Sequence, residues 1–137
     1  MRNKTVGAAF EREFADILSR NGFWVHVLQD NRNGQPFDII SAKDDNPRVF
    51  DCKVCETDRF RLSRMEGNQI SAMELWEACG NREGAFAVKF LRTGNIYVVV
   101  FRELMKARER DVRSLSEREL KKLCIMRFDK NGIDHQQ

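Results

Sequence analysis

The sequence has little of what marks several protein classes. It contains two prolines and one tyrosine, and no apolar run approaches the ~20 residues that a membrane-spanning helix requires. The N-terminal stretch MRNKTVGAAFERE carries charges without a following apolar segment, so it does not match a secretory signal. These absences predict a cytoplasmic protein without a membrane partner.

Cysteine and histidine are also scarce, with four and two residues respectively. Cys52 and Cys55 have CxxC spacing, but Cys79 and Cys124 are isolated, whereas closed zinc sites recruit four clustered ligands. A small buried thiol is the simpler interpretation of Cys52 in its apolar run. A zinc-stabilised regulatory domain stays open only if Cys79 or Cys124 joins the pair.

The charge balance excludes little. The 137 residues include 24 Lys and Arg against 21 Asp and Glu, which gives a net charge of +3. With 42% hydrophobic and 33% charged residues, the chain is typical of one soluble globular domain. The mild excess of positive charge permits nucleic-acid binding without requiring it.

The order of apolar patterns predicts an α/β fold. Apolar residues at helical spacing indicate helices over 5–20, with Thr5 as N-cap, and over 68–79. Runs rich in β-branched and aromatic residues predict strands near 23–28, 36–42, 48–54, 84–91 and 95–101. A turn is expected at 43–47, an exposed basic connection at 56–66, and a last strand or extended tail at 123–128. The expected architecture is a mixed β-sheet flanked by helices.

Charged residues stand within two of the predicted strands. In RVFDCKV, Asp51 and Lys53 point to one face of the sheet, because side chains alternate along a strand. If the two strands form a hairpin, Asp38 comes near Asp51, and two close carboxylates repel unless a divalent cation lies between them. Such oxygen ligands favour Mg²⁺ or Mn²⁺, and Lys53 would orient or activate a water molecule. The alternative is that Asp51 and Lys53 are surface residues of a half-exposed strand.

Two helices offer further polar residues at the edge of their apolar faces. Gln69 leads the face formed with Ala72, Met73 and Trp76, so its amide needs buried polar partners. On the first helix, Glu11 and Glu13 flank opposite edges of the apolar stripe, and periodicity does not choose between them.

Taken in order, GAAFERE, a helix ending in NGF, PFD, the DCK of residues 51–53 and the helix with Gln69 resemble the PD-(D/E)XK nuclease superfamily. Within it, the sequence is most similar to the archaeal-type Holliday junction resolvases. The resemblance covers roughly residues 4–101 and implies a restriction-endonuclease-like fold. It implies a single nuclease domain over 1–137, in which 102–137 form a helical and strand extension of unassigned role.

The resemblance also implies site residues. It assigns catalytic roles to the residues at the family's motif positions, which are Glu11, Asp38, Asp51, Lys53 and Gln69. The implied metal ligands are Asp38, Asp51, the backbone carbonyl of Cys52 and, directly or through water, Glu11. The chain departs from the family pattern in two ways: Phe37 separates Pro36 from Asp38, and position 51 is Asp where the archaeal branch usually has Glu. The second departure could alter metal preference.

Basic residues surround the predicted site and could contact phosphates without reading bases: Arg2, Lys4, Arg32, Arg59, Arg61 and Arg64. The segment DRFRLSR predicts an extended arm with Arg59 and Arg61 on one side, although a solvated loop packed by Phe60 and Leu62 would have the same pattern. The run KARERDVRSLSERELKK alternates charges and predicts a solvated helical face.

The resemblance therefore implies a metal-dependent DNA endonuclease that resolves Holliday junctions by symmetric paired nicks as a homodimer, with Mg²⁺ as cofactor and Mn²⁺ able to substitute. It would work at the nucleoid, or in the host cytoplasm if the source is viral. One alternative is a nuclease for flaps, damaged or foreign DNA, because a fold does not specify its substrate. Another is a catalytically silent DNA-binding module.

Overall fold

The computed structural model describes residues 2–29 and 37–135, with side chains from Val6 onward. In this part of the chain the helices are α1 (Arg2–Arg20), α2 (Gly67–Ala78), α3 (Phe101–Glu109) and α4 (Glu117–Leu123). A short 3-10 helix covers Leu62–Arg64. The strands are β1 (Trp24–Val27), β2 (Ile39–Lys43), β3 (Asn46–Cys55), β4 (Arg59–Arg61), β5 (Ala85–Phe90), β6 (Ile96–Val100), β7 (Ser114–Ser116) and β8 (Met126–Phe128).

Six of these strands form a mixed sheet in the order β1-β2-β3-β5-β6-β8. The β3–β5 pair is parallel, and the other neighbours are antiparallel. β4 and β7 form a separate two-stranded ribbon. The predicted α/β architecture is confirmed, and β8 answers the open choice between a last strand and a tail. None of the described helices combines the length and apolar character needed to cross a membrane.

The hairpin between β2 and β3 is tighter than the predicted turn at 43–47. Asp44 and Asp45 both have positive φ, at 53° and 63°, which is the backbone of a two-residue turn that matches strand twist. Pairing therefore continues to Lys43 and Asn46. This register fixes the start of β2 beside the middle of β3, because Ile39 pairs with Phe50.

One face of the sheet is covered by α1. Its apolar stripe is buried as predicted, and the Phe14 ring meets the Phe50 ring edge-on with centroids 5.2 Å apart. The helix begins at Arg2, so Thr5 lies inside it and its predicted role as N-cap is wrong. The packing of this face holds β3 in place from the side opposite to Asp51 and Lys53.

The other face is covered by α2, α3, α4 and the β4–β7 ribbon. Phe60, Leu62 and Met65 are buried there, whereas the other residues of 56–66 are exposed, as predicted for this connection. Residues 106–122, predicted as one solvated helical face, instead contain the end of α3, all of β7 and most of α4. Both predictions were incomplete because the exposed charged residues alternate with Phe60, Leu115 and Leu120, which enter the core.

Candidate active site

Asp38 lies immediately before β2, and Asp51 lies in the middle of β3. The backbone N–H of Asp38 donates to the Phe50 carbonyl at 2.9 Å, and one carboxylate oxygen, Oδ2, accepts the Cys52 N–H at 2.7 Å. These bonds hold the Asp38 carboxyl group beside that of Asp51, and its charge contributes to the raised pKa of Asp51. The hairpin thus brings together the two aspartates, as its predicted pairing required.

Asp51 forms an ion pair inside the protein. Its Oδ2 lies 3.2 Å from the Lys53 Nζ, and the two side chains are only 3% and 10% exposed. Burial raises the pKa of Asp51 to about 8, the cation of Lys53 opposes this rise, and the charge of Asp38 adds to it. Asp51 and Lys53 are therefore not surface residues of a half-exposed strand.

Gln69 completes the surroundings of Asp51. This amide is 7% exposed, and its Nε2 donates to Asp51 Oδ1 at 3.1 Å. Its Oε1 accepts the backbone N–H of Glu66, also at 3.1 Å, as half of a capping box at the start of α2. Because the cap occupies the amide oxygen, the amide nitrogen faces Asp51. The expected polar partner of Gln69 is therefore the central carboxyl group.

The residues around Asp51 fit a hard divalent cation. Asp51 Oδ2 is buried and, within the described residues, has no hydrogen-bond partner apart from its ion pair with Lys53. The described residues contain no group of three His, Cys, Asp or Glu side chains that could hold a metal. Two carboxylates, a carbonyl, water and substrate phosphate are nevertheless a typical Mg²⁺ environment. The fit thus rests on Asp38 and Asp51 and does not include Glu11 as a third clustered side chain.

The structure distinguishes between the two candidate glutamates of α1. Glu13 Oε1 forms an ion pair with the Lys89 Nζ at 2.6 Å. Glu11 lies toward the catalytic strand, since its charge, after burial and the two aspartates, contributes to the raised pKa of Cys52. Glu11 is therefore the α1 glutamate near Cys52 of β3.

A cleft of about 400 Å³ opens beside Lys53 and is lined by Arg59, Arg61 and Arg64. Arg59 bonds to Ser114 and reaches Glu119 at 3.5 Å, while Arg64 Nη1 donates to the Val54 carbonyl at 2.5 Å. The predicted arm is present, with Arg59 and Arg61 exposed and Phe60 buried. Three of the six predicted basic residues thus share a cleft with the lysine.

The side chains of the other three predicted basic residues lie outside the described part of the structure. Arg2 and Lys4 lie in the first turns of α1, and their side chains are outside the described part of the structure. Arg32 lies outside the described residues altogether.

The CxxC pair does not form a metal site. Cys52 packs on the α1 side of the sheet and Cys55 in the opposite core, as expected for residues three apart on a strand. The described cysteines are free thiols, and burial raises the pKa of Cys55 to about 11. The alternative of a zinc-stabilised domain therefore lacks its ligand geometry.

Sequence inspection missed two residues that support the site. Glu66 is the N-cap of α2 and was not predicted, because glutamate is not among the common N-cap residues. The Glu66–Gln69 spacing was its only signal. Lys89, which engages Glu13, is separated from it by 76 residues and had no local signal at all.

Comparison with known proteins bears on the fold and the family of the chain. No curated protein matches the chain significantly. The Holliday junction resolvase Hjc of Archaeoglobus fulgidus, a solved structure, superposes with a TM-score of 0.62 at 18% identity, covering 85% of this chain and 93% of that one. This likeness confirms the restriction-endonuclease-like fold. The family model described as archaeal Holliday junction resolvase (Hjc) matches residues 2–128. The chain therefore belongs to the archaeal Holliday junction resolvase family, a family of junction-resolving endonucleases.

Proposed function

We propose that the protein hydrolyses phosphodiester bonds of four-way DNA junctions with a divalent cation held at Asp38 and Asp51. The observation that carries the proposal is the buried Asp51 carboxyl group, which contacts Lys53, Gln69 and Asp38 beside an arginine-lined cleft. Membership of the resolvase family supports DNA junctions as the substrate.

The cation would be Mg²⁺, with Mn²⁺ able to substitute, held by the two aspartates and the Cys52 carbonyl. Bound there, it would stabilise negative charge on a phosphate oxygen and make its water more acidic. Glu11 would contact the cation through water, because the described residues contain no cluster of three carboxylates that could hold it directly.

The remaining site residues have separable roles. Lys53 orients the attacking water and balances the charge of Asp51, whose oxygen is 3.2 Å away. Gln69 is a positioning residue, because its Nε2 holds Asp51 Oδ1 while the α2 cap fixes the amide. This arrangement leaves Asp51 Oδ2 for Lys53 and the cation.

Phosphate contacts would come from the arginines of the cleft, Arg59, Arg61 and Arg64, together with Arg2, Lys4 and Arg32. Cations placed along the approach to an acidic site attract the DNA backbone without selecting a sequence. Two symmetric nicks need two active sites, so we include a homodimer in the proposal. The working location would be the cytoplasm, at the nucleoid or in the host of a virus.

The experiment compares cleavage of a labelled four-way junction, a flap and a linear duplex, with Mg²⁺ or with EDTA. Asp51→Asn removes the central charge, and Asp16→Asn makes the same chemical change on an exposed part of α1. Paired symmetric nicks in the junction alone, lost with EDTA and with Asp51→Asn but kept by Asp16→Asn, are expected.

Other outcomes would change the proposal in defined ways. Cleavage of all three DNAs would keep the nuclease and remove its selectivity for junctions. Tight binding without cleavage in Mg²⁺ or Mn²⁺ would identify a catalytically silent DNA-binding module instead.

A further inference from the structure

A second groove, of about 590 Å³, lies between the β4 segment and the connection from α3 to β7. Arg61, Arg108 and Arg113 line it together with one carboxylate, that of Asp111. The groove includes part of the C-terminal extension, to which the sequence assigned no role.

The fold directs these side chains to one place. Arg108 follows the buried Leu104 by four residues on α3, so it lies on the same helix face one turn later. The backbone carbonyl of Arg113 accepts the Leu62 N–H at 2.9 Å, which ties the α3–β7 connection to the end of β4. Arg61 pairs in register with Ser114 across the ribbon. Backbone pairing therefore holds Arg61 and Arg113 together, and the end of α3 brings Arg108 to the same groove.

The guanidinium groups of this groove are available for a ligand. Among the described residues, Arg61, Arg108 and Arg113 are exposed and have no side-chain hydrogen bond or ion pair. Arg59, the neighbour of Arg61 on β4, is instead engaged by Ser114 and Glu119. Three gathered cations with one carboxylate between them favour an anionic partner.

The groove adjoins the catalytic cleft, because Arg61 lines both cavities. A DNA backbone that passes Lys53 and Arg61 in the cleft is thus led toward Arg108 and Arg113. Both cavities are open to solvent along the ribbon, so a continuous strand fits this arrangement better than a small anion does.

We propose that this groove binds the sugar-phosphate backbone of DNA beyond the cleaved phosphate, as a second contact for one arm of the junction. The proposal rests on the proposed function and assigns the C-terminal extension to substrate binding. Phosphate contacts there would be independent of base sequence, since arginine side chains reach phosphates without reading base edges.

The test measures junction binding in EDTA, where cleavage does not occur, as a function of salt concentration. Arg108→Ala/Arg113→Ala is compared with Arg118→Ala/Lys122→Ala, which removes the same charge from exposed residues of α4 that line neither cavity. The groove variant should weaken junction binding roughly ten- to a hundredfold at about 0.1 M salt and reduce the salt slope by about 2. Arg108→Lys/Arg113→Lys, which keeps both charges, should recover most of the affinity.

Asp111→Asn gives a test in the opposite direction. Asp111 has a φ of 65°, a conformation that asparagine also tolerates, so the backbone should not change. Removing this carboxylate should tighten junction binding severalfold if a phosphate lies beside it. Unchanged or weaker binding of Asp111→Asn would count against the groove.

Each result separates the groove from the proposed function. Equal affinity of groove variant and wild type, or equal losses in groove and control variants, would overturn the groove while junction cleavage by the wild type could still stand. Wild type that binds but does not cut would remove the nuclease and leave the groove result valid. Wild type that binds neither junction nor duplex would overturn both.

Discussion

At Asp51 a carboxyl group is buried beside one cation and a second carboxyl. Its pKa of about 8 in the folded protein compares with 3.8 in the unfolded chain, so the unfolded state releases this proton first. The contribution of Asp51 to stability is complete below pH 3.8 and is lost as the pH rises toward 8. The buried Asp51 therefore lowers the stability of the folded protein near neutral pH, as residues of functional sites commonly do.

Asp51→Asn removes this cost. We expect the free energy of unfolding of the metal-free variant to be about 2 kcal/mol higher than that of wild type at pH 8. Leaving Lys53 without its partner would reduce this difference. The difference should shrink toward pH 4, because Asp51 of the folded wild type is protonated there and is uncharged like the asparagine that replaces it. Urea denaturation in EDTA at several pH values measures it. A difference that stays constant with pH would mean that Asp51 is ionised in the folded protein throughout this range.

Proton and cation should compete for Asp51. Below pH 8 a bound Mg²⁺ must displace the proton, so its apparent affinity should rise up to about tenfold per pH unit between pH 6.5 and 8 and then level off. Calorimetric titration in buffers of different ionisation enthalpy would detect proton release of up to one per cation. Asp16→Asn is the control and should behave as wild type; a pH-independent affinity would contradict the assignment of Asp51 as a ligand.

Gln69 can be separated from its capping role with Glu66. Gln69→Ala and Glu66→Ala each remove one side chain of the capping box and should each lower the unfolding free energy by about 1 kcal/mol. Only Gln69→Ala also frees Asp51 Oδ1, so only it should reduce junction cleavage, about tenfold or more at saturating protein. Equal cleavage by the two variants would reduce Gln69 to a helix cap.

At the scale of single residues, the sequence predicted two of the contacts in the site. The apolar face of α2 implied a polar partner for Gln69, and the alternation in RVFDCKV placed Asp51 beside Lys53. The choice between Glu11 and Glu13 was not predictable from α1 itself, because it depends on Lys89 of β5.

Among the elements, the β2–β3 hairpin does most to position the site. The sequence predicted that these two strands pair, but it put a turn over the whole of residues 43–47, which includes Pro47. Pro47 lies opposite Ala42, and β5 begins to pair with β3 only at Phe50, so the missing N–H of proline is tolerated at that edge. The turn is therefore two residues long instead of five.

Replacing Asp44-Asp45 with Asn-Gly should stabilise the hairpin. Both residues have positive φ, and Asn-Gly is the preferred pair for such a turn. We expect an increase of about 0.5–1 kcal/mol in the free energy of unfolding, with junction cleavage unchanged. Urea denaturation checks it, and Asp111→Gly, at another positive φ outside the hairpin, shows what backbone relief alone contributes. Altered cleavage in the hairpin variant would indicate that the turn sets more than the register.

The β4–β7 ribbon was beyond sequence prediction for a different reason. Each strand has three residues, and Arg59 and Ser116 pair although 57 positions separate them in the chain. Periodicity over three residues does not distinguish a strand from a loop. The alternation in RFR predicted that both arginines point to the same side. Their position in the fold depends on the pairing of β4 with β7, which the sequence did not predict.

For the whole molecule, the order of motifs was enough to predict the fold class and the family, whereas the C-terminal extension was not assigned. The extension joins the main sheet through the pairing of β8 with β6, and Glu117 of α4 adds a polar contact. Glu117 Oε2 accepts hydrogen bonds from the Thr93 hydroxyl, the Asn95 amide and the Tyr97 hydroxyl, at 2.8, 2.9 and 2.7 Å. Three donors from the β5–β6 hairpin thus converge on one carboxylate that begins the last helix.

Glu117→Ala should remove this polar contact, with a change in Tyr97 that spectroscopy can follow. Burial, and next the hydrogen bond and charge of Glu117, hold the pKa of Tyr97 well above its usual value of about 10. Without Glu117 the pKa should fall toward that value, and the free energy of unfolding should drop by about 1–2 kcal/mol because the buried Tyr97 hydroxyl loses its acceptor. Tyr97 is the one tyrosine of the chain, so absorbance at the phenolate band reports it alone.

The sign of the pH effect follows from the raised pKa. Tyr97 contributes stability that is complete below about pH 10 and is lost as the pH rises toward the folded pKa, so wild type should lose stability in alkali more steeply than Glu117→Ala. Glu103→Ala, which breaks an exposed pair with Lys106, should change stability by less than about 0.5 kcal/mol and leave the tyrosine titration unaltered. An unshifted Tyr97 titration in Glu117→Ala would mean that burial alone raises its pKa. The C-terminal layer would then be held by the apolar packing of Leu115 and Leu120 and by the β6–β8 pairing, independently of the carboxylate.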